Sequence, residues 1–406
     1  MDFQLPAEDD PRRLAVRDWL AAHPRPTGRE LAEAGYVAPH WPPPWGLGAD
    51  AIHQLIIDDE LARAGVQLPM NPMGTGWGGP TILVGGTQEQ KDRYLWPMLA
   101  GEEFWCQLFS EPGAGSDLAN LATRAVLDGD EFVVNGQKVW TTSAEHSDFG
   151  ILIARTDPDV PKHKGISYFI CPMDLPGIEV RTITEITGGH HFCEVFFTDV
   201  RIPAANLVGN LHDGWRLAKV TLGNERVSLS TGGVLWGNGP TGMELIDRLR
   251  DRGPLTDPVM RQQAAQVYTE HVVLDLIRMR MLTAALKRQE PGPEASIRKL
   301  LADEHGQHVM SLARVALGAD AMLMAVDGEY DPERDGRLLS EQRAADPLDH
   351  PSWYHGFMFS QALTIGGGTF AVQRNIIGER VLGLPRDDDA TLGMSWAEAQ
   401  RIGGSR

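Results

Sequence analysis

The hydrophobic period of this chain changes twice, and those two changes restrict its fold more than any single motif. Up to about residue 104 apolar side chains recur at helical spacing. From about Phe104 to Val208-Gly209 they alternate with a period of two, and from about Asp213 the helical spacing returns. Helices, then strands, then helices argue for the α+β class and against an alternating βαβ chain. We place the divisions at 1–104 for an N-terminal α-helical domain, 105–211 for a small central β-domain and 212–406 for a C-terminal helical domain. A chain of 406 residues can hold two or three such units.

In the first block, Leu14 to Ala22 is an amphipathic run stopped by His23-Pro24, and Asp50 to Ala64 is a second helix. The stretch from Trp41 to Gly46 carries three consecutive prolines and reads as a rigid loop. Asn71 to Gly79, rich in small residues, reads as a loop. Thr87 and Gln90 form a capping box for a helix that ends at Ala100-Gly101. In the middle block, strands are expected at Thr123–Leu127, Phe132–Val134, Lys138–Thr142, Gly150–Arg155, Ser167–Cys171, Ile178–Ile183 and Glu194–Phe197. Asp128-Gly129 and Asn135-Gly136 serve as turns. Helices follow at Gly214–Leu229, Gly242–Arg250, Asp257–Arg288 and Pro293–Leu317. Gly328 to His350 reads as an exposed loop, and Trp353–Leu363 and Phe370–Leu382 close the chain.

The formal net charge of −18 disfavours a nucleic-acid partner, whose phosphates call for a basic face. No run of eighteen apolar residues and no leader pattern is seen, so the expectation is a cytoplasmic protein with no membrane partner. Cys106, Cys171 and Cys193 lack both metal spacing and a disulfide framework. They sit in apolar, strand-like surroundings where a buried thiol is the default.

Three segments carry the chemistry. In Gln107-Leu108-Phe109-Ser110-Glu111-Pro112-Gly113-Ala114-Gly115-Ser116-Asp117 a strand-like run breaks into a turn whose N–H groups and hydroxyls can hold a ligand. Asn135-Gly136-Gln137-Lys138-Val139-Trp140-Thr141-Thr142-Ser143-Ala144 sets a large aromatic beside three hydroxyls. That combination suits stacking on a flat heterocycle. The third segment is Thr364-Ile365-Gly366-Gly367-Gly368-Thr369-Phe370-Ala371-Val372-Gln373-Arg374. Taken alone, each of them is better read as an ordinary turn or strand. In their order and spacing, the three resemble the acyl-CoA dehydrogenase family of flavoproteins, whose first two blocks read roughly (T/S)EPxAGSD and NGxKxW(I/T)(T/S). The resemblance covers essentially the whole chain, and it implies that the C-terminal domain is a four-helix bundle.

The resemblance also implies FAD as cofactor. Gln107, Phe109 and Ser110 would border the isoalloxazine edge, and Gly115 and Ser116 would lie at the pyrophosphate. Trp140 would lie on the ring face away from substrate, Thr141 and Thr142 at the N5 edge, and Thr369 would touch the cofactor. The implied reaction desaturates an acyl-CoA thioester: a carboxylate takes the Cα proton and the Cβ hydrogen leaves as hydride to flavin N5. The electrons then pass to an electron-transferring flavoprotein.

Such chemistry needs one buried carboxylate. Many family members place it two residues before the threonine of the third block, where this chain has Gly367. A second family arrangement puts it on the first long helix of the C-terminal domain, before an arginine, and this chain has Asn224-Glu225-Arg226-Val227 there. Periodicity points to the same residue, because Trp215, Ala218, Leu222, Glu225 and Leu229 fall on one helical stripe. A carboxylate in an apolar stripe is costly unless paired or protonated, so a salt-bridged core glutamate is the competing explanation. By resemblance, Gly367 keeps the backbone N–H that holds the substrate carbonyl.

One departure concerns the adenine half of FAD. The family's Arg-x-x-Phe-Gly is missing from Leu249–Pro258, and its Gln-x-Leu-Gly-Gly is altered at Val315–Ala319. Some relatives pair two different chains, so a heterotetramer with a paralogous subunit stands beside a homo-oligomer as an expectation. His190-His191 suggests a metal, but adjacent histidines project in different directions, and a loop at the domain edge or at the CoA entrance is the preferred reading. Two other functions remain open: a non-catalytic partner subunit of such a complex, and a flavin monooxygenase on the same fold. A helix-borne base occurs in relatives that handle branched, long or polycyclic acyl groups, so the acyl group is expected to be bulky.

Overall fold

The structure is a computed structural model that describes residues 6–228, 234–236, 239–286, 292, 295–318, 351–386 and 388–403. Its N-terminal helices are α1 (Pro11–Ala22), α2 (Gly28–Glu33), α3 (Ala51–Arg63), α4 (Gly79–Gly85) and α5 (Gln88–Ala100). The capping box forms as expected: Thr87 Oγ1 accepts from the Gln90 amide, and Gln90 Oε1 accepts from the Thr87 amide. Gln90 Nε2 then donates to Ala205 O at 2.8 Å and Leu207 O at 2.9 Å. One capping residue therefore also ties the helices to the strands.

The expectation of a loop over Asn71–Gly79 is overturned. Gly74–Gly78 winds as a wide π turn directly into α4. Among four glycines, Met73 and Trp77 are the only large apolar side chains, too few to display a helical period. The segment is held instead by tertiary bonds from Asn71 Nδ2 to Met98 O and Glu103 O.

The strands β1 (Trp105–Leu108), β2 (Arg124–Asp128), β3 (Glu131–Thr142), β4 (Phe149–Arg155), β5 (Ile166–Pro172), β6 (Ile178–Ile183), β7 (Phe192–Pro203) and β8 (Leu207–Val208) form one sheet. Its order is β6-β7-β3-β2-β4-β5-β8, with β1 parallel beside β4. Asn135-Gly136 is not the hairpin turn expected from its sequence; β3 runs straight through it. The pairing with β7 shifts register there, the extra residue lies on β7, and the Asn135 side chain bonds both the amide and the carboxylate of Asp199. Gly136 is needed for another reason: a Cβ would collide with Thr123, the residue just before β2. The real β2–β3 turn is at Gly129, whose φ is +66°.

Along β4 the side chains alternate between two cores. Ile151 and Ile153 join Trp105, Tyr168 and the N-terminal helices, whereas Leu152 and Ala154 join Phe169, Cys171 and Cys193. The three cysteines are free and buried. Burial pushes the Cys106 thiol up to about 12.

Beyond the sheet come α6 (Gly214–Ser228), α7 (Gly242–Asp251), α8 (Pro258–Leu286) and α9 (Ala295–Leu317), then helices at Pro351–Phe359 and Phe370–Ile376. The expected loop at Gly328–His350 and the stripe residue Leu229 lie outside the described residues. Phe370–Leu382 does not close the chain, because a further helix spans Trp396–Gly403. It has its own capping box, Ser395 with Glu398. It docks back on the sheet: Trp396 Nε1 donates to Asn120 O, and the Arg155 guanidinium lies 4.7 Å above the indole. No helix among the described residues is long and apolar enough to cross a membrane.

Candidate active site

Glu225 sits on the inner face of α6 and keeps only 8% of its surface exposed. The stripe that carries it is more polar than its spacing suggested. Leu217, Ala218 and Thr221 are fully buried with it, while Trp215 and Leu222 are only half-buried. Thr221, one turn before Glu225, anchors the helix. Its Oγ1 lies 2.8 Å from Thr81 Oγ1 on α4 and 3.1 Å from the Tyr168 hydroxyl on β5. Burial pushes the Tyr168 phenol upward. These three hydroxyls hold α6 at one rotation about its axis, and that rotation aims Glu225.

Gln107 meets that carboxylate directly. Its Nε2 donates to Glu225 Oε2 at 3.2 Å. A residue of the first segment and the candidate base on α6, 118 positions apart, therefore share one hydrogen bond. The amide oxygen of Gln107 is buried and has no partner among the described residues.

The first two segments are laced together. Val139 N donates to Ser110 O at 2.9 Å. Lys138, with no exposed surface, donates from Nζ to Phe109 O at 3.0 Å and to Glu111 Oε1 at 2.8 Å. Glu111 also accepts from the amides of Ala122 and Thr123. Burial drives the Glu111 carboxyl up, but Lys138 and those amides outweigh it and hold it below the usual carboxylate range. Lys138 and Glu111 were not singled out from sequence. The available signal was period-two spacing, which puts Lys138 in step with the apolar Phe132 and Val134.

The pairing of β3 with β7 shifts again between Lys138 and Thr141, and this time the extra residue is on β3. Trp140 takes φ +61°, unusual for a bulky side chain, and is 60% exposed, with its ring 6.0 Å from Phe192. Thr141 is turned inward, and its Oγ1 is buried without a partner among the described residues; Thr142 is half-buried. Phe109 is buried edge-on to Tyr168, and Ser110 is half-buried. Gly115 and Ser116 are exposed on the turn that follows.

The third segment forms its own loop. Gly367 and Gly368 both take positive φ, +65° and +90°. Thr369 Oγ1 caps the following helix by accepting from the Val372 amide. No hydrogen bond links this loop to Glu225 among the bonds described. The connection is through α9, which packs on α6 and also grips the loop. His190 and His191 lie in a loop between β6 and β7. His191 Nδ1 lies 3.1 Å from Glu185, and its ring stands 6.3 Å from Phe359 of the C-terminal helices. The β6–β7 loop thus packs His191 against the C-terminal helices.

Family models match the chain in three consecutive stretches: the N-terminal domain of acyl-CoA dehydrogenases over residues 8–102, the middle domain over 106–200 and the C-terminal domain over 212–382. Acyl-CoA dehydrogenase FadE34 of Mycobacterium tuberculosis is 42% identical over 88% of this chain, which spans only 46% of that protein's length. Acyl-CoA dehydrogenase IpdE1 of the same organism is 37% identical over 89% of this chain and 88% of its own length. Among solved structures, the Tcur3481-Tcur3483 steroid ACAD superposes with a TM-score of 0.74 at 29% identity, covering 95% of this chain and all of that one. The ChsE4-ChsE5 complex from Mycobacterium tuberculosis gives 0.71 at 30% identity with the same coverage. The ordered match of all three domains, together with the buried glutamate of α6 bonded to the first signature segment, leads to one conclusion: this chain belongs to the acyl-CoA dehydrogenase family.

Proposed function

We propose that the protein is an FAD-dependent acyl-CoA dehydrogenase in which Glu225 removes the Cα proton of the thioester. The observation that carries this reading is the burial of Glu225 on α6 and its hydrogen bond to Gln107. A carboxylate withdrawn from water and held in one rotamer is a competent base for a carbon acid. Gly367 contributes its backbone N–H to the thioester oxygen, where negative charge develops as the proton leaves.

The residues of the first two segments fit a flavin. Gln107 Oε1 and Thr141 Oγ1 are buried polar atoms left without protein partners among the described residues, and Trp140 presents an uncovered indole face on a strained backbone. A polar-edged, flat heterocycle answers all three features. When bound, FAD supplies the acceptor for the Cβ hydrogen. Gln107, Phe109, Ser110, Trp140, Thr141 and Thr142 would hold its ring system, Gly115 and Ser116 the pyrophosphate, and Thr369 a further contact.

The acyl group we assign is a bulky polycyclic one, by analogy with the steroid ACAD superposed above. The electrons would pass to an electron-transferring flavoprotein. The altered adenine segments at 249–258 and 315–319 favour a heterotetramer with a paralogous chain over a homo-oligomer. We retain 104/105 and 211/212 as the domain divisions.

The test is anaerobic bleaching of the flavin by a panel of straight-chain, branched and polycyclic acyl-CoAs, on protein expressed alone and with its paralogue. Glu225→Gln should slow bleaching by about a hundredfold to ten-thousandfold. Bleaching at the wild-type rate would remove Glu225 as the base. A fully flavinated, active protein made alone would remove the heterotetramer.

A further inference from the structure

The glycine loop of the third segment is wired with a definite polarity. Lys299 lies on α9 with no exposed surface. Its Nζ donates to Asp303 Oδ2 at 2.6 Å, to Leu363 O at 3.2 Å and to Gly366 O at 3.1 Å. Gln373, also without exposed surface, donates from Nε2 to Gly367 O at 3.2 Å and Gly368 O at 3.1 Å. Three successive carbonyls, those of Gly366, Gly367 and Gly368, are therefore held by buried donors. The N–H groups of Gly367, Gly368 and Thr369 meet no acceptor among the described residues.

In a trans peptide the C=O of one residue and the N–H of the next point in opposite directions from one rigid plane. Holding Gly366 O thus fixes where Gly367 N–H points. Two consecutive glycines at positive φ make this turn easy to flip, because neither has a Cβ to bar the alternative. A flip of the 366–367 peptide would put an acceptor where a donor is required. The ammonium of Lys299 prevents it with a charge-assisted bond inside the protein.

We propose that Lys299 is a positioning residue for the reaction. By holding Gly366 O it directs the Gly367 N–H at the substrate's thioester oxygen, and Gln373 does the same for the two peptides that follow. The inference rests on the reading above that Gly367 supplies that donor. Asp303, one helical turn further along α9, serves to hold the Lys299 ammonium in place.

The experiment measures flavin bleaching against concentration of the acyl-CoA that reduces the wild type fastest. Lys299→Met should lower the maximal rate about tenfold to a hundredfold. The half-saturating concentration and the flavin content should stay within about threefold, since the binding surfaces are intact. Lys299→Arg, which can still donate to Gly366 O, should recover most of the loss. A thia-substituted, non-reducible analogue of the same acyl-CoA should give a weaker long-wavelength absorption band with Lys299→Met than with wild type, because enolate character at the thioester depends on the donor. A flavinated Lys299→Met protein with wild-type rate overturns the inference. Should Lys299→Met fail to fold, Gln373→Leu decides the matter by the same split between rate and half-saturation, and an unchanged rate there overturns it. A wild-type flavin that no acyl-CoA bleaches overturns the dehydrogenase reading and this inference with it.

Discussion

Lys138 Nζ and Glu111 Oε1 meet 2.8 Å apart inside the protein, joining the two segments that frame the candidate flavin site. Removing only the cation strands a carboxylate in a place water does not reach. Lys138→Met should destabilise the fold by about 3–5 kcal/mol, read from urea unfolding, and should lower the flavin-to-protein ratio. Replacing both partners with apolar residues of similar size should return much of the stability but not the flavin content.

The buried carboxyl on α9 gives a stability change of predictable sign. Burial pushes Asp303 up to about 7, against the pull of Lys299. In the unfolded chain an aspartate titrates near ~4. A value raised by folding means that the protonated group favours the native state. Its contribution is complete below about pH 4 and is lost as pH climbs through 7. Wild type should therefore lose stability relative to Asp303→Asn across that window in thermal unfolding. A constant difference would contradict the burial described.

Thr221→Val keeps the shape of its side chain but deletes the hydroxyl that meets Thr81 and Tyr168. Two buried hydroxyls then lose a partner, at a cost of about 1–3 kcal/mol in chemical unfolding. Flavin bleaching should slow as well, because the next turn of α6 carries Glu225.

Gln107→Leu removes the donor that holds Glu225. We expect bleaching to slow about tenfold with the half-saturating acyl-CoA concentration little changed, as for a base displaced from its working rotamer. Equal loss in a Glu225→Gln background would show that the two residues act independently, and a double-mutant comparison measures this directly.

Much of the architecture was legible because it is written in period: 3.6 on either side of a stretch with period two. Glu225 was picked out by the family resemblance together with that period, and its burial on α6 agrees with the stripe, although the stripe also carries the buried hydroxyl of Thr221. The features that were hidden depend on contacts between distant segments. Asn135-Gly136 has the dipeptide of a tight turn, yet the cross-strand bonds to Asp199 keep the strand going. Asn71–Gly79 shows no clear stripe because, among its four glycines, only Met73 and Trp77 are large, and tertiary bonds from Asn71 help hold it helical. Lys299 looks like any surface lysine on a charged helix; its role appears only once Gly366 is brought beside it. The helix at Trp396–Gly403 did carry a readable start, since serine at 395 and glutamate at 398 form a capping box.

The irregular pairing at Val139-Trp140 acts as a phase shifter for β3. Under strict alternation Lys138 and Trp140 would share a face; the inserted residue lets one enter the core while the other stays uncovered. Deleting a single residue there would restore a straight ladder and drive inward the indole that we propose as the platform for the flavin ring. Length variation in this family should therefore gather at the Gly129 bend, where an added loop residue leaves both faces in step, and should be shunned a few positions further on.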